Sequence, residues 1–166
     1  MIEDLRKLLA RDLDTLAREV DLYPDDASLW KAVPGQPTHG GNLALHLVGN
    51  LRHFVGAVLG GTGYVRERDL EFSTTGRTRE ELAALIALAK AEVDAALASL
   101  PDARLAEPYP QDIRGERLAT GLVLQHLATH LAFHLGQLDY HRRAATGDRT
   151  SADPLGLAPL VTGKSV

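Results

Sequence analysis

Residues 118–147 read LATGLVLQHLATHLAFHLGQLDYHRRAATG. Leu124, Leu127, Leu131, Leu135 and Leu138 return every three or four positions, the spacing that lines side chains along one face of a helix. An amphipathic helix is therefore expected from near Leu118 to about Gly147. Upstream, Thr78 and Glu81 have the capping-box spacing, and Leu82, Leu85, Ile86, Ala89, Val93, Leu97 and Leu100 continue a helical period as far as Pro101. Another helix is expected from about Thr38 to Gly60, carried by Leu43, Leu47, Leu51, Phe54, Val55 and Val58. It is closed by Gly60-Gly61, which can supply a left-handed cap. The first helix follows Ile2, Leu5, Leu9, Leu13, Leu16 and Val20 and stops before Pro24. No stretch alternates convincingly as a strand does. Four amphipathic helices predict an all-α fold, a four-helix bundle.

The connectors 24–37, 61–77 and 101–117 exceed the few residues that join helices in a minimal bundle. The first is dense in breakers, with Trp30, Pro34, Gly35 and Pro37, and leaves room only for a short turn at Ala27 to Ala32. Extended at about 3.3 Å per residue, each of the other two could run back along a helix about 30 Å long, so either helix direction is permitted. The bundle is expected over 1–147. A tail over 148–166 is read as extended and mobile at its end, because Asp153-Pro154, Gly156 and Pro159 break any helical period.

With no cysteine among 166 residues, a disulfide framework, a thiolate metal site, an iron–sulfur cluster and a cysteine nucleophile are excluded. Any metal has to be held by nitrogen or oxygen. Lys and Arg number 18 against 22 Asp and Glu, a net charge of −4 with no basic field for a phosphate backbone, so no nucleic-acid partner is expected. Charged residues in Met1-Ile2-Glu3-Asp4-Leu5-Arg6-Lys7 argue against a signal peptide, and no long uncharged apolar run argues for a membrane span. A soluble, cytoplasmic protein is the expectation.

Seven histidines stand out. His39, His46 and His53 are seven apart on the second long helix, while His126, His130, His134 and His141 share the last. A step of seven drifts about −20° around a helix and a step of four about +40°, so each set forms a stripe. His134 and then His130 lie nearest the leucine face; His126 lies nearer its edge. Two imidazoles at i and i+4 can reach one ion at about 2.0–2.1 Å. His130-Leu-Ala-Phe-His134 has that spacing without the glutamate of zinc proteases, and His46 is best placed to complete a three-histidine set with an open position. The plainer reading is that single helical histidines are boundary or solvated side chains; His39 and His141, near helix ends, need only complement backbone groups. Arg66 and Arg68 are read as solvated charges, with reception of an acidic substrate or thiol as the alternative. Ser73, Thr74 and Thr75 are read as a polar loop, and no interior carboxylate stands out.

The segment from His126 through His130 and His134 to Gly136-Gln137 resembles the signature of the DinB/YfiT-like superfamily, in which His-x-x-x-His is followed by x-Gly-Gln on the last bundle helix. A lone histidine on helix two, here His46 in Leu45-His46-Leu47, goes with it. The resemblance spans the chain in helix order and implies an up-down-down-up bundle with a divalent metal, zinc or nickel, held by His46, His130 and His134. Gln137 is placed to orient a ligand; His126 and Asn50 are further candidates near the metal or substrate, and Gly136 is read as a packing position. Relatives include transferases that use thiols such as bacillithiol or mycothiol, and a thiol-dependent isomerase. The expected function is a metal-dependent enzyme, a thiol-dependent transferase acting on a small molecule, with a homodimer implied. The alternatives are a metal-dependent hydrolase and a non-enzymatic, metal-stabilised binding module, for which His53 or His126 would be the first suspects as a closing fourth ligand.

Overall fold

The Thr78 hydroxyl accepts from the Glu81 N–H at 3.1 Å, and the Glu81 carboxylate accepts from the Thr78 N–H at 2.9 Å, so the capping box forms as the sequence predicts. Gly147, in the left-handed conformation at φ 76°, ends the last helix by donating to the Arg143 carbonyl at 2.8 Å. In the computed structural model, which describes residues 1–154 and 156–160, the elements run α1 (Ile2–Asp21), α2 (Asp26–Leu29), α3 (Gly40–Leu51), α4 (Arg68–Ser73), α5 (Arg79–Ala98) and α6 (Thr120–Thr146). A π-helical turn, Arg52–Ala57, prolongs α3, and 3-10 turns occupy Asp102–Ala106 and Ala158–Leu160. The fold is all-α, and no strand forms among the described residues beyond two isolated bridges, Pro108 with Ala119 and Ile113 with Glu116.

Helices α1, α3, α5 and α6 are the four long ones. α1 packs against α5 and α6, and α3 packs against the same two. Arg6 with Asp94 (2.6 Å) and Lys90 with Asp14 (2.5 Å) run α1 and α5 in opposite directions. Gly56 faces Glu92 and Gly60 faces Ala96, so α3 with its extension runs alongside α5 in the same direction. Leu9, Leu13, Leu16, Leu47, Leu124, Leu131 and Leu138 are fully buried, each contributing about 1.5–3 kcal/mol by leaving water. A wholly buried ion pair lies in this interior: Arg142 donates to Glu19 at 2.6 Å, with neither side chain exposed.

The second connector and the tail hold more structure than their sequence shows. The connector contains α4, whose six residues are too short to display a helical period. Its attachment is tertiary, since Asn42 on α3 donates to the Glu71 and Thr74 carbonyls at 2.9 and 2.7 Å. The first described part of the tail is tied to the bundle rather than free: Arg142 donates to the Thr150 carbonyl and Arg18 to the Ala152 carbonyl, and Ala152 is buried. The expected mobile end, 161–166, lies outside the described residues. No described helix is long and apolar enough to cross a membrane.

Candidate metal centre

His46 lies on α3, and His130 and His134 lie one turn apart on α6, facing it. The three rings pack with centroids 4.5–5.1 Å apart, and one nitrogen from each lies within 4.8 Å of the others. The described residues contain no other such group of histidines and carboxylates. The structure thus brings together the three sequence candidates in a cluster that could hold one metal ion.

The far nitrogens of two rings are already engaged. His46 Nδ1 lies 2.9 Å from Glu71 Oε2 and 3.3 Å from Arg66 Nη2. The shorter contact is to an acceptor-only carboxylate, so Nδ1 carries the proton and Nε2 presents its lone pair to the cluster. His134 Nδ1 donates to Gln137 Oε1 at 2.6 Å, which aims its Nε2 inward in the same way. His130 Nδ1 is buried without a partner. The His46 and His130 Nε2 atoms are 3.3 Å apart, matching the edge of about 3.3–3.4 Å that joins two donors of a tetrahedral zinc site with bonds of 2.0–2.1 Å. The donor set therefore fits a borderline divalent ion.

Protonation favours the same use. Burial, with repulsion from His134, His46, His126 and Arg66, pushes His130 down to about 4, and burial also lowers His134 against the opposing bond to Gln137. Both rings are neutral near pH 7, as a ligand must be. Burial would raise the Glu71 carboxyl, but hydrogen bonds from Arg66 and His46 outweigh it and hold it below the usual carboxylate range.

Several expectations need correction. An interior carboxylate does exist: Glu71 is 6% exposed. Arg66 is not a solvated charge but clamps Glu71 through Nε at 2.6 Å and Nη2 at 2.8 Å; Arg68, by contrast, is exposed. The sequence hid this pair because α4 and the residues before it have no pattern that points inward. The nearest signal was Gly49 in mid-helix, where a Cβ would overlap Glu71 Oε1. Gly136 is exposed and faces nothing within 4 Å, so it has no packing role. His141 is a core residue rather than a helix-end complement: it is fully buried, accepting from the Tyr23 hydroxyl at 2.8 Å while its other nitrogen donates to the Lys31 carbonyl.

Neither suspected closing ligand joins the cluster. His53 is bonded to Gln111, and the exposed His126 ring lies 5.9 Å from that of His130. Asn50, one turn beyond His46, is 93% buried by its 7% exposure, and its Oδ1 has no partner. Two cavities flank the cluster. One, of about 400 Å³, is lined by Leu43, Phe72, His134, Gln137 and Tyr140; the other, of about 320 Å³, includes Asn50 and His126.

A family model described as the DinB superfamily matches residues 8–138. Neither the curated proteins nor the solved structures contain a match to this sequence.

Proposed function

The chain belongs to the DinB superfamily, and from that membership and the histidine geometry we propose that it is a metal-dependent transferase joining a low-molecular-weight thiol to a small-molecule electrophile. The observation that carries this reading is the meeting of three imidazole nitrogens from two helices, with His46 and His134 fixed from behind by Glu71 and Gln137. Three protein nitrogens leave a tetrahedral ion one position for an outside ligand, as in catalytic rather than structural sites. A zinc or nickel ion held there would supply Lewis acidity, lowering the pKa of a thiol bound beside it toward neutrality.

The chain's own residues supply orientation. Glu71 holds the proton on His46 Nδ1, so its Nε2 stays a lone-pair donor; Gln137 does the same for His134. Hydrolysis is assisted by a protein group that accepts a proton from water. Glu71, the carboxylate beside the cluster, already has both oxygens occupied by Arg66 and His46. A thiol needs less help, because its ordinary pKa of about 8–9 is already close to neutral. The cavities on either side of the cluster support a reaction of two substrates. The homodimer is part of the proposal, supported by exposed Leu122, Phe133 and Tyr140 along one stripe of α6.

Elemental analysis of the purified protein tests the site. About one zinc or nickel per chain is expected, lost in His46→Ala, His130→Ala or His134→Ala and retained in His126→Ala. Stoichiometric metal surviving replacement of both His130 and His134 overturns the assignment. With metal present, conjugation of a thiol to an aromatic electrophile should be abolished by a chelator; its absence across thiols would favour a non-enzymatic binding module. Sedimentation velocity tests the dimer.

A further inference from the structure

The α3 backbone widens where it passes the start of α6. Val58 N–H reaches back to the His53 carbonyl and Gly60 N–H to the Val55 carbonyl, each five residues away at 3.0 Å. The Phe54 carbonyl is passed over by these bonds and instead accepts from the buried Tyr109 hydroxyl at 2.5 Å. π-turns of this kind recur at functional sites. Here the turn sets Phe54 in the wall of the 320 Å³ cavity, opposite Ile113, Leu118, Leu122 and Leu127. The loop that supplies Ile113 and Leu118 is held in place by Tyr109 N–H on the Leu118 carbonyl at 2.8 Å.

The lining has two polar members, Asn50 and His126, and no Asp, Glu, Lys or Arg. Asn50 follows His46 by one turn and His126 precedes His130 by one turn, so both mark the end of the cavity nearest the histidine cluster. Asn50 Oδ1 is buried without a hydrogen bond, a loss of about 1–3 kcal/mol unless something donates to it. An ionic ligand would be desolvated against these apolar walls without compensation.

We propose that this cavity binds a small, uncharged, largely apolar molecule, about one substituted aromatic ring in size, whose polar end hydrogen-bonds the side-chain amide of Asn50. That this molecule is the substrate's electrophilic half rests on the transferase reading; the binding site itself does not.

The test uses the full chain freed of metal by a chelator, with Leu and Val methyl groups observed by NMR. Benzyl alcohol is titrated against ethylbenzene, which has a methyl group in place of the hydroxyl. Benzyl alcohol should shift the methyls of Leu118, Leu122, Val123 and Leu127. Asn50→Leu should weaken its binding about threefold to tenfold, the contribution of one neutral hydrogen bond, without weakening ethylbenzene. Leu122→Trp, at a position 54% exposed at the cavity mouth, should exclude both probes and does not depend on Asn50→Leu folding well. Shifts located elsewhere, no shifts, or an Asn50→Leu variant that binds both probes as wild type does would overturn the proposal. His130→Ala without zinc should still bind benzyl alcohol, so a failed metal reading leaves the cavity result standing. A zinc-binding protein without methyl shifts shows the converse.

Discussion

Glu71→Gln isolates the role of the carboxylate behind His46. In the wild type, Glu71 receives His46 Nδ1 at 2.9 Å and Arg66 at 2.6 and 2.8 Å. Glutamine keeps one acceptor oxygen, but its amide group then points N–H toward whichever donor that oxygen does not serve. The substitution also leaves the Arg66 guanidinium, which lies 3.3 Å from His46 Nδ1, without its compensating carboxylate, and its charge opposes a cation at the cluster. Losing the partner that fixes ring orientation and basicity costs about 10–100-fold in metal affinity, or about 1.4–2.7 kcal/mol. Arg66, its side chain 11% exposed, also loses its ionic partner; between the exposed and buried limits for broken ion pairs this costs about 2 kcal/mol of stability. Zinc affinity would be measured by competition with a chelating indicator, and stability by urea unfolding in chelator. Arg66→Met is the control, since it leaves Glu71 on His46 and removes a positive charge, so zinc should bind as tightly as in wild type or more tightly. A Glu71→Gln protein of native helicity that binds zinc within about threefold of wild type refutes the argument, as does an equal loss in Arg66→Met.

Gly49→Ala should destabilise and weaken zinc binding, although Ala for Gly in a helix interior ordinarily gains about 1 kcal/mol; the added Cβ overlaps Glu71 Oε1 and comes 2.9 Å from its Cδ. A urea midpoint above wild type with unchanged zinc affinity would contradict this. In chelator, stability should fall as pH drops from about 6.5 through about 4, because the unfolded chain protonates His130 at its ordinary value while the folded one resists. The full shift corresponds to about 3 kcal/mol, and screening around the half-buried ring reduces this to about 1.5 kcal/mol; His130→Gln should flatten the slope, and an unchanged slope would refute the assignment. Arg142→Met strands buried Glu19 and should cost about 3–5 kcal/mol, much of it restored by adding Glu19→Leu. Single and double variants losing equal stability in urea would show that the pair is not the cause.

The leucine period of α6, the Thr78–Glu81 cap and the Gly147 terminus were legible because each is a local rule, decided within one or two turns of chain. His46, His130 and His134 were legible as candidates for the same reason: a stripe on a helix is a matter of spacing. That α3 meets α6 with these three rings converging was an expectation from resemblance until the tertiary contacts placed them. Glu71 and Arg66 were not legible. They lie in and before a six-residue helix with no period of its own, and their meaning depends on Asn42 and Gly49 giving α4 a seat on α3.

Sequence by itself determined an all-helical, cysteine-free chain whose nitrogen donors fall on two helical faces, because periodicity and residue chemistry act over short distances. Tertiary structure alone decided which imidazole nitrogens face one another, which charges hold them, and that Asn50 stands unpartnered in an apolar cavity. Those properties depend on contacts such as His46 with Glu71, 25 residues apart, and His46 with His130, 84 apart, and no local pattern encodes the distance between them.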